Sequence, residues 1–151
     1  MSARRARAAL TAAILLAPAM RTSLHAEDIA PPPAATLTIT VHNVSDAGGE
    51  LRIGVFDEAG YRTKGAAPIA RKRTLARGGT MTVTIEGIAP GTYAVKMFQD
   101  INGNGIFDVG MRLTEPFGIS NDAQASLSLP AFDDAKIALH AGDNAIDVTL
   151  H

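Results

Sequence analysis

The sequence predicts an all-β fold, a single antiparallel β-sandwich of about seven strands. Three observations carry that expectation. Apolar residues alternate with polar ones at period two in six separate segments. Fourteen Gly and eight Pro, against seven aromatics, supply turns between them. Helical periodicity is weak after residue 26.

The first 26 residues read as an address rather than as part of the fold. Arg4, Arg5 and Arg7 form a positive start, and Ala8–Leu16 is an apolar run shorter than the about 20 residues a membrane helix needs. Ala17-Pro18-Ala19 and Leu24-His25-Ala26 offer small-residue cleavage sites. This layout is that of a Sec-type signal peptide cleaved after Ala26, with Ala19 as second choice and an N-terminal helix as the alternative. The expected location is periplasmic or secreted, and no later segment is apolar enough to span a membrane.

Cleavage would remove four of the fourteen basic residues and none of the fifteen acidic ones, leaving ten against fifteen. An acidic chain is a poor nucleic-acid partner, since phosphate contacts require a basic stripe. The absence of Cys rules out disulfides, thiolate metal sites and Cys nucleophiles.

Residues 27–36 (EDIAPPPAAT) read as an extended Pro-rich tether, and 37–151 as the sandwich domain. Leu37, Ile39 and Val41 form one apolar face, and Leu51, Ile53 and Val55 another. With the turn Asp46-Ala47-Gly48-Gly49 between them, the two segments are expected to pair as a hairpin. Met81, Val83 and Ile85 alternate next. Ala89-Pro90-Gly91 then turns the chain into a strand with Tyr93, Val95 and Met97 on one face. Lys136–His140 and Ala145–Leu150 are expected to pair across a turn at Ala141–Asn144. Short helical turns are expected near Ala59–Lys64 and Phe132–Ala135.

The segment richest in chemistry is Asp100-Ile-Asn-Gly-Asn-Gly-Ile-Phe-Asp108. Its oxygen-bearing side chains occupy the first, third, fifth and ninth places with Gly105 at the sixth, the start of a calcium-loop pattern. Asp100, Asn102, Asn104, Asp108 and the Ile106 carbonyl are the candidate ligands, with Glu115 reaching back from four residues beyond the twelfth place. That twelfth place, where an EF-hand has Glu, is Met111, and flanking helices are missing. Calcium is therefore the expected cofactor, bound weakly, in the range of about 10⁻⁴–10⁻³ M. The alternative is a metal-free turn in which the Asn side chains form Asx turns.

Other groups carry less. His42, His140 and His151 are far apart, and no nucleophile or phosphate-loop motif occurs. Asp133-Asp134 suits the first turn of a helix. Arg71-Lys72-Arg73 with Arg77 is the one basic cluster and reads as a solvated segment between strands, with an anionic surface as the alternative. Tyr61, Phe107 and Phe117 are candidates for a sugar-stacking platform, though core packing accounts better for most of the aromatics.

Four blocks, Gly87–Val95, Phe98–Asp108, Glu115–Ala123 and Pro130–Ala135, together resemble the bacterial secreted domain-of-unknown-function family 2141. The matching patterns are G-x-x-P-G-x-Y-A, D-x-N-x-N-G-x-x-D, G-x-S-N-x-A and P-x-F-x-D-A, in the same order, with Phe117 standing where the family usually has Tyr. The resemblance implies an exported Ig-like or transthyretin-like sandwich, similar to carboxypeptidase regulatory-type accessory domains. It brings no activity. It also suggests that Ser120, Asn121 and Asp122 lie beside the Asp100–Asp108 loop and supply further oxygens.

The function expected from these observations is an exported, non-enzymatic binding or accessory module for an envelope or extracellular ligand. The alternative is an envelope hydrolase using the loop carboxylates.

Overall fold

The computed structural model describes residues 33–110, 114–125 and 128–151; the signal-peptide and cleavage readings lie outside these. The chain is built of eight strands in two sheets among the described residues. β1 (Ala35–Val44) is the centre of the first sheet, antiparallel to β4 (Gly79–Ile88) and parallel to β8 (Gly142–Thr149). In the second sheet β2 (Glu50–Phe56) lies between β3 (Ala70–Leu75) and β5 (Gly91–Asp100). The far edge of β5 is shared by β7 (Lys136–Leu139), along Gly91–Ala94, and β6 (Phe117–Ile119), along Lys96–Phe98.

The period-two pattern does the work expected of it. Leu37, Ile39 and Val41 from the first sheet and Leu51, Ile53, Val55, Val95 and Met97 from the second are buried in a single apolar core. At roughly 1.5–3 kcal/mol for each large apolar side chain removed from water, these alternating faces dominate the stability of the fold.

The pairing of strands corrects the sequence reading. β1 and β2 are not a hairpin: the turn at Asp46–Gly49 carries the chain from one sheet to the other. β7 and β8 likewise part, β7 to β5 and β8 to β1. A strand with one apolar face fits either sheet of a two-sheet fold, so the turn residues mark a reversal without fixing its partner. The sheet count of eight strands, and the parallel β1–β8 pair, also depart from an antiparallel fold of about seven. β3, which holds Arg71, Lys72 and Arg73, is a strand rather than a loop. β3 lacks apolar alternation because it is an edge strand, and charged residues are tolerated there.

Two local devices join the parts. At the β4–β5 turn the Tyr93 hydroxyl donates to the Ala89 carbonyl at 2.9 Å, the arrangement known as a tyrosine corner. Tyr93→Phe is expected to lower stability by about 1 kcal/mol, read as a reduced denaturant midpoint at unchanged m-value; an unchanged midpoint would count against the corner. Where β7 ends and β6 has not begun, the Val95 N–H donates to Ser120 Oγ at 2.9 Å, and the Ser120 hydroxyl donates to the Ala135 carbonyl. Asn121, at φ 61°, donates its side-chain amide to the carbonyls of Asp134 and Lys136. The Ser-Asn pair thus splices two short strands along one edge.

A smaller apolar cluster (Phe56, Tyr61, Ala94, Ile119, Phe132, Ala135) lies beneath α1 (Glu58–Arg62) and α2 (Phe132–Ala135), both near their expected places. Asp57 caps α1, accepting from the Gly60 N–H at 2.7 Å. Asp133 and Asp134 fill the first turn of α2, where the helix dipole favours acids, and Asp133 pairs with Lys136 at 2.7 Å. That bond holds the Asp133 carboxyl below its ordinary range and raises Lys136. Lys96 Nζ sits 3.9 Å from the Phe56 ring centroid, and burial lowers its pKa.

Candidate functional site

Asp100 ends β5 on the outer face of the second sheet, because the side chains of Val95, Met97 and Gln99 take the core side. The chain then turns back over this face, with Gly103 at φ 73° and Gly105 at φ 80°, both in the left-handed region that favours Gly. The Gly105 N–H donates to Asp100 Oδ2 at 2.9 Å. Asn102 Oδ1 accepts from the Asn104 N–H at 3.0 Å and Asn104 Oδ1 from the Ile106 N–H at 2.8 Å, two successive Asx turns. Both Asn amide groups donate to Asp108 Oδ2, each at 2.7 Å.

Glu115 straps this loop at both ends. Its Oε1 accepts from the Ile101 N–H at 2.9 Å and its Oε2 from the Asp108 N–H at 3.1 Å, while its own N–H donates to the Asp108 carbonyl at 3.0 Å. Glu115 is fully buried, as is Asp100. Glu115, a candidate ligand from the sequence, does reach back to the loop, with both carboxylate oxygens on backbone N–H groups, and Asp100, Asn102, Asn104 and Asp108 lie together within it. Ile106 points its side chain into solvent and contributes its N–H to the loop. Met111 lies outside the described residues.

The electrostatics are uneven. Arg52 on β2 places Nε 2.7 Å from Asp100 Oδ2, a charge contact rather than a directed hydrogen bond, and its Nη2 lies 3.2 Å from Glu50. Asp100 Oδ1 is buried without any hydrogen-bond donor. Such an oxygen costs about 1–3 kcal/mol, more when it carries charge. Among the described residues no three acidic or His side chains converge closely enough to enclose an ion by themselves. An ion held here would draw on the amide and backbone oxygens of the loop as well, as a hard cation with six to eight oxygen ligands does.

Ser120, Asn121 and Asp122 do not join the loop. Ser120 and Asn121 form the strand splice, and Asp122 Oδ1 accepts from the Thr149 N–H at 2.7 Å. Their nearness in sequence to Glu115 is not nearness in function, because β6 carries the chain away between them. Of the three candidate aromatics, two come together. Phe107 folds onto the sheet face between Phe98 and Phe117, with ring centroids 5.5 and 5.3 Å away, whereas Tyr61 meets Phe132 edge-to-face in the other cluster.

Sequence reasoning missed Arg52 and Gln99. Gln99 is fully buried; its Oε1 accepts from the Ser45 N–H at 2.8 Å, and its Nε2 donates to the carbonyls of Ser45 and Gly48 at 2.9 and 2.7 Å. It ties the end of β5 to the turn between the sheets. A polar residue at a core-facing place in an alternating strand was the available signal.

Residues 39–147 match the model of a family described as an uncharacterized protein conserved in bacteria (DUF2141). No curated protein and no solved structure matches the chain.

Proposed function

The chain belongs to the bacterial DUF2141 family, and from that premise we propose that it is an exported, non-enzymatic binding or accessory module whose Asp100–Asp108 loop takes up calcium weakly. The observation that carries the reading is the buried, donor-free Oδ1 of Asp100 in a loop of the D-x-N-x-N-G pattern. The ion would be held by Asp100, Asn102, Asn104, Asp108 and backbone oxygen at Ile106, with Glu115 fixing the two ends of the loop. Its effect would be structural: a cation that binds only the folded state stabilises it by RT ln(1 + [L]/Kd). The two sheets around one core suit the transthyretin-like, regulatory-domain likeness of the family, and the basic start and apolar run of residues 1–26 support export.

A second reading rests on Arg52. Its guanidinium lies against Asp100 and would serve as the loop's own built-in cation, leaving a metal-free turn. Melting in EDTA and in a calcium series, with magnesium as control, separates the two. With a Kd of about 1 mM, 10 mM calcium adds about 1.4 kcal/mol, a rise of roughly 3–6 °C in Tm. The rise should be selective for calcium and vanish in Asp100→Asn. A flat response assigns the cation's role to Arg52 and removes calcium from the proposal. The hydrolase alternative has weaker support, because Glu115 is fully buried and both its oxygens are used to fix the ends of the loop.

A further inference from the structure

β3 forms a ladder with β2 alone, so its outer edge is open among the described residues. Along that edge runs Ile69-Ala-Arg71-Lys72-Arg73-Thr-Leu75, with Ile69 48% and Leu75 66% exposed at its two ends. Arg71, Lys72 and Arg73 are exposed, and among the described residues none of them, nor Arg77, lies in an ion pair. This gathers four of the ten cations that follow residue 26 on one strand and its exit, in a chain with fifteen acids.

We propose that the open edge of β3 receives an extended acidic peptide segment of a partner protein, added to the second sheet as a further strand. A free strand edge offers alternating backbone donors and acceptors, which an extended peptide satisfies and a polysaccharide or other simple polyanion does not. Positive charge on the edge repels a second copy of the same edge but attracts an acidic strand, so it selects a partner as well as preventing self-pairing. The cross-strand register places Arg71 and Arg73 on the outer face, opposite Gly54 and Arg52, and Lys72 on the inner face, opposite Ile53. A shallow trough lined by Arg71, Lys72, Thr84, Ile85 and Glu86 lies on the β4 side. The partner's acidic side chains would therefore meet Arg71 and Arg73, with apolar residues at its ends against Ile69 and Leu75, while Glu86 disfavours a carboxylate deep in the trough. The proposal does not rest on calcium uptake by the Asp100 loop, although Arg73 lies opposite Arg52, which contacts Asp100.

The test is an NMR titration of the ¹⁵N-labelled protein with a synthetic peptide alternating Asp and Val between terminal Leu residues. Saturable shifts centred on β3 are expected at low salt. Binding should weaken at least tenfold when the peptide is N-methylated on alternate residues in the register facing β3, and by at least as much in the R71E/R73E variant. A Lys-for-Asp version of the peptide should not bind. Equal binding of peptides N-methylated in either register, or tighter binding of dextran sulfate at the same residues, would overturn the proposal in favour of a simple polyanion surface. Absence of binding, or shifts confined elsewhere, would overturn it outright. Should the double variant fail to fold, the N-methylated peptides still decide.

Discussion

Glu115→Ala is expected to destabilise the protein by about 3 kcal/mol, the sum of two hydrogen bonds to a charged acceptor. The replacement leaves the buried-side N–H groups of Ile101 and Asp108 without their acceptor, at opposite ends of the loop. A loss of that size lowers Tm by roughly 10 °C for a domain of this length. The more discriminating readout is local. Amide exchange at Ile101 and Asp108 should accelerate together, while exchange in β1 follows the global stability alone. Glu115→Gln keeps one carbonyl oxygen and should recover part of the loss, because it can still accept from one of the two N–H groups. If Glu115→Ala melts within a degree or two of the wild type, the strap is not what holds the loop.

Gln99→Leu is expected to cost about 3 kcal/mol, though the two side chains are close in volume. Three hydrogen bonds disappear, and the Ser45 N–H and the carbonyls of Ser45 and Gly48 lose their partner in the turn that links the two sheets. The same turn is constrained from its other side. A Cβ at Gly49 would stand 2.1 Å from the Asp100 carbonyl oxygen, so this position, at φ 84°, admits glycine alone. Loosening the turn should therefore disturb the start of the Asp100 loop, and exchange at Ile101 and Gly105 should rise more in Gln99→Leu than the global change requires. A penalty below 1 kcal/mol would mean that water replaces the amide and that the turn is held by Gly49 and its neighbours instead.

The central strands were legible in the sequence because each has one buried face, and burial leaves a period-two mark. β3 left no such mark, since its exposed edge position asks nothing apolar of Arg71–Arg73. Partner choice was not legible either: β1 and β2 have equivalent apolar faces, and nothing in Asp46–Gly49 says whether the chain stays in its sheet. The gathering of oxygens in the Asp100–Asp108 loop was legible because its spacing is local. Arg52 was not, since its contact with Asp100 joins residues 48 positions apart. Ser120 and Asn121 were misplaced for the opposite reason: they follow Glu115 closely in sequence, but the splice they make belongs to β5 and β7.

The parallel pairing of β1 with β8 sets the order in which the fold can be completed. Every register pair between them, from Ala35–Gly142 to His42–Thr149, spans 107 residues. Contacts this distant in sequence form late, because the loop entropy of the intervening chain must be met before they return anything. β1 also sits in the middle of its sheet, so a chain emerging N-terminus first would hold Leu37, Ile39 and Val41 beside an open edge until its last strand arrived. Before that moment the strand can pair only with β4. Were the chain exported unfolded, as proposed, such a delay would keep the first sheet unfinished until transit was complete.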